Sequence, residues 1–444
     1  MMKTVLLTGI LCSIAVASRA QLTDTVRCAA DPSQTYALYI PAKGNNVAMP
    51  VAYCFDPHGA GILPVRKYKA LADAYGFILV GSNNSKNGND WASTETIWQA
   101  LSTDTRSRLK IDSRRVYTIG FSGGAKVASY IAIQHPGIAG VIAGGAGLPD
   151  GVSAGDFSFS FTSIAGQGDM NLTELVGISE ALDKTRTRHR LILFDGKHEW
   201  APVNTMGLAF AGLQFDAMRA GVIPKDRQAT TLYVANSKKR LRAYQMTTQL
   251  IKAAQECSLS IADLDGISPQ ANWFRSQAAS LAKNPAYIGQ LQDQQNLLAT
   301  EQNTKAEYMQ HFQQPDDTYW TSTIHDLQAK SVGHTPMQQM YQRLLAYLSL
   351  AFYSVSNHLI GSGDNAQARR FVDLYKQADP TNSEAWYFSA VLDAREGRTP
   401  ETEADLVKAA KYGFHDKVRI AQQSEFQQLN PKLNLERIEQ AMRR

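Results

Sequence analysis

Between residues 51 and 194 the chain repeatedly sets a short apolar run against a polar segment with helical spacing. Residues 51–55, 77–80, 116–121, 138–143, 159–165 and 191–194 are apolar or β-branched and do not alternate strictly with polar residues. Strands that lack alternation are buried on both faces. Segments 65–75, 93–110, 125–134 and 171–184 place apolar residues at helical intervals between them. Strands separated by helices specify a mostly parallel sheet covered on both sides, an α/β fold. Two more strands are expected first, at 25–28 and 35–40, around a turn at Asp31-Pro32-Ser33. In such sheets ligands bind beyond the carboxyl ends of the strands, so the polar residues that follow each run are the ones expected to carry chemistry.

The fifth strand ends in Gly120-Phe121-Ser122-Gly123-Gly124, a G-x-S-x-G pattern. A serine on a sharp strand-to-helix turn takes a strained backbone, and side chains two residues before and after it would collide. The pentapeptide alone is weakly specific; the strand before it and the helix after it raise its weight. A serine hydroxyl is a poor nucleophile without a base, and the base needs an orienting group. His198 follows the eighth strand with Gly196 before it and Glu199-Trp200 after it, and is the expected base. Asp169, in a glycine-rich turn after the seventh strand, is the expected orienter. Asp195 is the competing choice, but it would have to bend back on the loop that carries His198.

An oxyanion needs two backbone N–H donors. Gly123 follows the nucleophile and is one. The other is expected from the loop after the third strand, at Ala60 with Gly59 close behind. Asn83, Asn84, Asn87 and Trp91 follow the fourth strand. Their amides and ring suit a polar or sugar-bearing ligand, with Asn83, Asn84 and Trp91 as the substrate-binding candidates; the bland alternative is a hydrogen-bonded surface loop. His58 is expected to shape its loop, His135 to cap a helix, and His189, within the basic run Arg186, Arg188, Arg190, to lie on a solvated surface. Asp56 and Asp150 read as structural.

The order Ser122, Asp169, His198 is that of α/β-hydrolases. Residues 25–220 resemble the secreted esterase and polyhydroxyalkanoate-depolymerase-like group of that fold, which includes feruloyl and acetylxylan esterases. The resemblance lies in His58-Gly59, the turn from Gly120 to Gly124, the Asp169 turn, and Gly196-Lys197-His198-Glu199-Trp200, similar to the G-x-H-x-W ending of the group. FDPHGAG and VGSNNSKNG are similar to exported bacterial hydrolase-like proteins with helical tails. The resemblance implies a serine hydrolase that needs no cofactor or metal. Many relatives insert a lid after the sixth strand; here the short loop 147–156 leaves no room for one.

Residues 1–20 read as a signal peptide. Lys3 precedes a short apolar run too short to span a bilayer, and Ser18-Arg19-Ala20 is a small-x-small cleavage pattern. An exported protein, periplasmic or extracellular, is expected. Loss of Lys3 and Arg19 takes the formal charge from +5 to +3, with basic residues dispersed, so neither nucleic acid nor an anionic membrane is implied as partner. No other run suggests a membrane span. Cys28 and Cys54 lie on candidate neighbouring strands and either form a disulfide in an oxidising compartment or remain buried thiols.

The hydrolase domain is expected over 21–224, ending near Pro224-Lys225-Asp226. From about Gln228 strand signals nearly vanish, and 225–444 reads as an all-α region. Residues 231–256 read as one long helix, with further helices at 285–312 and 337–359. Residues 366–413 resemble a degenerate tetratricopeptide (TPR) repeat, carried by ARRFV at 368–372, the turn ADPTN at 378–382 and AWYF at 385–388; TPR-like character is assigned over about 336–413. Stacked helix hairpins bury their faces on one another. The tail could dock a protein partner, roof the active site or stabilise the first domain.

The expected function is hydrolysis of a carboxylic ester, small or polymer-borne, through an acyl-enzyme. A serine peptidase would use the same residues. A binding protein with a vestigial hydrolase domain and a partner-docking tail is the reading from a different class.

Overall fold

The computed structural model describes residues 20–42, 47–314, 316–429 and 433–442. The expected leader lies outside these apart from Ala20. The sheet half runs β1 (Gln21–Arg27), β2 (Thr35–Ile40), β3 (Met49–Phe55), α1 (Ile62–Tyr75), β4 (Ile78–Ser82), α2 (Trp91–Arg108), β5 (Ile111–Phe121), α3 (Gly123–Gln134), β6 (Ile138–Gly144), β7 (Ser160–Gly166), α4 (Leu172–Leu182), β8 (His189–Phe194) and α5 (Val203–Arg219). The eight strands form one sheet in the order β1-β2-β4-β3-β5-β6-β7-β8. β1 and β2 pair antiparallel, β2 meets β4 antiparallel, and all other pairs are parallel. This is an α/β-hydrolase sheet.

The absence of alternation in the strand runs has its cause in the packing. All seven residues of β3 are buried. Val51, Tyr53 and Phe55 face a core shared with Ile97, Trp98 and Leu101 of α2 and Ala128 and Ile131 of α3. Ala52 and Cys54 face the opposite core, with Val65, Tyr68 and Ala72 of α1 and Met206, Phe210 and Leu213 of α5. A strand buried on both faces has no position for a polar residue to mark. Cys28 belongs to the first core and Cys54 to the second. The two thiols are therefore on opposite faces and remain free and buried, so the disulfide alternative falls. Burial pushes the Cys28 thiol up to about 11, helped by the Asp104 carboxylate, and the Cys54 thiol up to about 12.

The helical half comprises α6 (Arg227–Met246), α7 (Leu250–Leu264), α8 (Gln270–Ala282), α9 (Pro285–His311), α10 (Asp317–Lys330), α11 (Pro336–Ser362), α12 (Asn365–Ala378), α13 (Ser383–Arg395), α14 (Thr399–Lys411), α15 (Lys417–Gln422), α16 (Ser424–Leu429) and α17 (Leu435–Met442). The single helix expected over 231–256 is two. Thr248 adopts a left-handed backbone at φ 54°, with no glycine or proline to announce it. Gln290 of α9 holds the break from outside: its Oε1 accepts from Leu250 N–H at 3.0 Å and its Nε2 donates to Thr248 O at 2.7 Å.

α6 to α8 share a core with α5, where Phe215 and Met218 meet Tyr233, Leu241, Cys257 and Phe274. The later helices build a separate core around Trp320, Leu348, Phe352, Tyr375 and Leu392. α11 with α12, and α13 with α14, make hairpins. α11 is the one helix among the described residues long and apolar enough to cross a bilayer. Leu344, Leu348 and Phe352 nevertheless bury one of its faces in the second core.

Beneath the sheet edge, Arg190 of β8, next to His189 in the basic run, is buried. Its guanidinium donates to Asp216 at 2.8 Å twice and to Asp263 at 2.5 Å, and Tyr233 Oη donates to Asp263 at 2.5 Å. Arg190 and Arg219 hold Asp216 ionised against the cost of its burial.

Candidate active site

The register of the parallel strands decides where the site forms. Phe55 pairs with Gly120, Gly120 with Ala143, Gly144 with Ile164, and Gly166 with Phe194. These strands end together, and Ser122, Asp169 and His198 project from the loops beyond that common edge. Ser122 itself is strained, at φ 53° and ψ −125°. A non-glycine residue with such a backbone costs about 1–3 kcal/mol and persists only where its surroundings over-determine it. They do so here. A Cβ on Gly120 would lie 2.0 Å from Gly124 O, and one on Gly124 would lie 2.0 Å from Phe55 O. Ser122 N–H donates to Gly144 O at 2.8 Å, and Ser122 O accepts from Ala125 N–H at 2.9 Å.

Ser122 Oγ lies 2.9 Å from His198 Nε2, and His198 Nδ1 lies 2.9 Å from Asp169 Oδ1. Asp169 is 1% exposed. Its Oδ1 also accepts from Asn171 N–H at 2.9 Å, which helps hold the carboxylate beside the imidazole. The three side chains singled out in the sequence thus form one hydrogen-bonded chain. Asp195 is not part of it; its carboxylate is met by His334 at 3.0 Å and Gln339 at 3.2 Å.

Asp56 has a larger role than the sequence suggests. It is buried and accepts from His58 N–H at 2.9 Å and from Trp200 Nε1 at 2.8 Å. Burial opposes its charge, but these bonds outweigh it and hold the carboxyl below its ordinary range. The bond to Trp200 ties the loop after β3 to the loop that carries His198. Phe121 closes the corner, with its ring 4.7 Å from His198 and 5.6 Å from Trp200.

The expected second oxyanion donors are otherwise engaged. Gly59 N–H donates to Asp56 O at 3.1 Å, and Ala60 N–H is directed at Asp56 Oδ1 at 3.4 Å. Gly123 N–H forms no hydrogen bond among the described residues. Of the expected substrate-binding residues, Asn83 donates to Asp24 O at 3.3 Å. Asn84 accepts from Thr35 N–H at 2.8 Å and donates to Ser33 O at 3.0 Å. Both amides fasten their loop to the β1–β2 hairpin, as the alternative of a hydrogen-bonded surface loop has it. Trp91 lies flat on Tyr130 of α3, with centroids 4.3 Å apart. Asn87 is the residue of this loop that reaches the turn: a Cβ on Gly123 would lie 1.9 Å from its Oδ1. In the sequence Asn87-Gly88 reads only as a turn dipeptide.

Helices from the second half reach the rim. Arg343 of α11 is buried and donates to Gln167 O at 2.7 Å and to Glu301 of α9 at 2.7 Å. Lys305 pairs with Glu301 at 2.7 Å and donates to Met170 O at 3.4 Å. Gln167 and Met170 flank Asp169. Across the site Lys86 pairs with Asp416 at 3.3 Å. Neither the sheet half nor the helical half alone carries a signal for these contacts.

No protein-family model matches the chain, and no curated protein matches it. Solved structures do. An S-formylglutathione hydrolase from Agrobacterium tumefaciens is 18% identical, covers 41% of this chain and 89% of its own, with a TM-score of 0.33. An S-formylglutathione hydrolase from Staphylococcus aureus is 10% identical over 44% and 97%, with a TM-score of 0.36. The feruloyl esterase module from Clostridium thermocellum is 12% identical over 43% and 86%, with a TM-score of 0.37.

Proposed function

We propose that the protein is an exported serine hydrolase that cleaves a carboxylic ester. The observation that carries this reading is the unbroken chain from Ser122 Oγ through His198 to buried Asp169, with both links at 2.9 Å. His198 Nε2 removes the hydroxyl proton as Oγ attacks the ester carbonyl. Asp169, accepting from Nδ1, keeps the imidazole in the tautomer that leaves Nε2 free and steadies the imidazolium that forms. The carbonyl oxygen becomes an oxyanion beside Gly123 N–H at the start of α3. Collapse breaks the bond to the alcohol, which takes the proton from His198. Water then attacks the acyl-enzyme, giving its proton to His198, and the acid leaves as Ser122 recovers its hydrogen. The leader-like residues 1–20 support export.

Expressed full length, the protein is expected outside the cytoplasm, where it turns over a short p-nitrophenyl ester. Ser122→Ala is expected to lower kcat by about 10⁴–10⁶-fold with an unchanged melting curve. Residual activity within tenfold of wild type in that variant sinks the assignment; retention in the cytoplasm sinks export.

A further inference from the structure

The helices from α9 to α17 reach the catalytic edge of the sheet at places that lie on opposite sides of Ser122. On one side are the loops after β7 and β8. Arg343 of α11 donates to Gln167 O at 2.7 Å, and Lys305 of α9 donates to Met170 O at 3.4 Å. Gln342 presses on Gly168, where an added Cβ would lie 2.5 Å from its Oε1. His334 and Gln339 meet Asp195 at 3.0 and 3.2 Å. On the other side is the loop after β4, where Lys86 pairs with Asp416 at 3.3 Å. The strand order β4-β3-β5-β6-β7 puts β5, which Ser122 follows, in the middle of this span. Four strand spacings separate β4 from β7, roughly 19 Å.

One packed body makes both sets of contacts. Arg343 adjoins Leu344, and Asp416 caps α15, accepting from Arg419 N–H at 2.9 Å. Leu344 of α11, Phe388 of α13, and Phe414 and Ile420 on either side of Asp416 belong to a single apolar core. Arg419 ties α15 to α13 through both carboxylate oxygens of Glu384 at 2.8 Å. A body with one core that touches the edge on both sides of β5 has to cross the end of β5. His58, on the loop after β3 and so within the span, feels the charges of Glu384 and Arg419. The crossing leaves a cleft and not a seal: Ser122 is half-buried, and the His198 side chain is 20% exposed.

We infer that α9 to α17 form a roof over Ser122 that restricts the site to esters of small, soluble molecules and keeps out esters borne on a polymer or a surface. The inference rests on the ester-hydrolase reading above. A small ester enters the cleft whole. An ester fixed to a long chain must bring that chain under a body held at both ends, and the chain meets the helices before the carbonyl reaches Oγ. The two ends are held unequally. Arg343 and Glu301 are buried, whereas the Lys86 and Asp416 side chains are 50% and 33% exposed, so the Lys86 end is the one that a change of surface charge frees.

The test uses the full chain and one ester in two forms, a coumarin butyrate free in solution and the same ester grafted to dextran by a short linker, with alkaline hydrolysis as the measure of intrinsic reactivity. Wild type is expected to show a kcat/KM lower by about 100-fold or more for the grafted ester. Lys86→Glu sets a like charge against Asp416 and should recover about tenfold or more of that loss, with the free ester changed by less than about threefold. Lys86→Arg keeps the pair and should discriminate as wild type does. A grafted ester cut by wild type within about threefold of the free one overturns the inference. So does discrimination that Lys86→Glu leaves unchanged, because the selectivity then has a source other than the roof. Fluorophosphonate labelling of Ser122 in either case leaves the hydrolase reading standing. A wild type inert to both the free ester and the probe overturns that reading and this inference with it.

Discussion

The two groups of helices that follow the sheet are attached in different ways. α6 to α8 continue the interior of the first half: they share an apolar core with α5 and close over the buried Arg190, Asp216 and Asp263 cluster. The helices from α10 onward have their own core and meet the sheet half through hydrogen bonds and ion pairs at loops. α9 spans both, bracing the α6–α7 break with Gln290 and reaching the Asp169 loop with Lys305. An apolar core with buried charges is cooperative with the fold that contains it. A polar contact on a loop can be lost while that fold stands, and here the loops in question carry Asp169 and His198. The first attachment thus bears on whether the protein folds, the second on how well the site is held.

Breaking the first attachment should produce the larger effect. Arg190→Met leaves Asp216 and Asp263 buried without their main partner. Breaking a buried pair in this way costs about 3–5 kcal/mol. A urea titration should show the unfolding free energy falling by that amount, with a lower midpoint and an unchanged slope. A loss below about 1 kcal/mol would mean that the two helical groups do not differ as described.

The second attachment predicts a smaller and different result. Arg343→Gln removes the donor to Gln167 O and one partner of Glu301, while Lys305 still neutralises that carboxylate. Stability should fall by about 1–3 kcal/mol, the cost of a broken buried hydrogen bond. Looser positioning of Asp169 should lower kcat by about tenfold, with KM retained. Arg343→Lys, which can still reach one acceptor, should recover part of the rate. Equal kinetics in both variants and wild type would mean that α11 only covers the loop.

This contrast also explains what could be read from the sequence. The strand runs and the glycine turn are local patterns, and they were legible. Ser122, Asp169 and His198 are far apart in sequence, but each follows a strand, and a parallel sheet brings the ends of its strands to one edge, so they were legible too. Arg190 was not, because burial of a charge depends on Asp216 and Asp263, which lie 26 and 73 residues away. The break at Thr248 depends on Gln290, from another helix. Asn83, Asn84 and Asn87 share one loop and one residue type, yet two fasten the hairpin and one reaches Gly123. Which amide goes where is decided by the neighbouring loops, and no spacing rule records it.

The weakest expected effect tests the electrostatic reach of the helical half. His58 contacts Asp56, which raises the imidazole above its ordinary value of about 6.5; Glu384 of α13 adds to the rise and Arg419 of α15 opposes it. A raised folded value means that the pair stabilises the fold below about pH 6.5, and that this contribution is lost as pH rises through the folded value. The imidazole is largely exposed, so the pair is worth roughly 0.2–1 kcal/mol. His58→Gln should therefore be slightly less stable than wild type at pH 5.5 and equal to it at pH 8.5. Nuclear magnetic resonance of the His58 ring should give a pKa above the ordinary value, and Glu384→Gln should lower it. A ring that ignores Glu384 would confine the helical half's influence to the loops it touches directly, those of Asp169, His198 and Lys86.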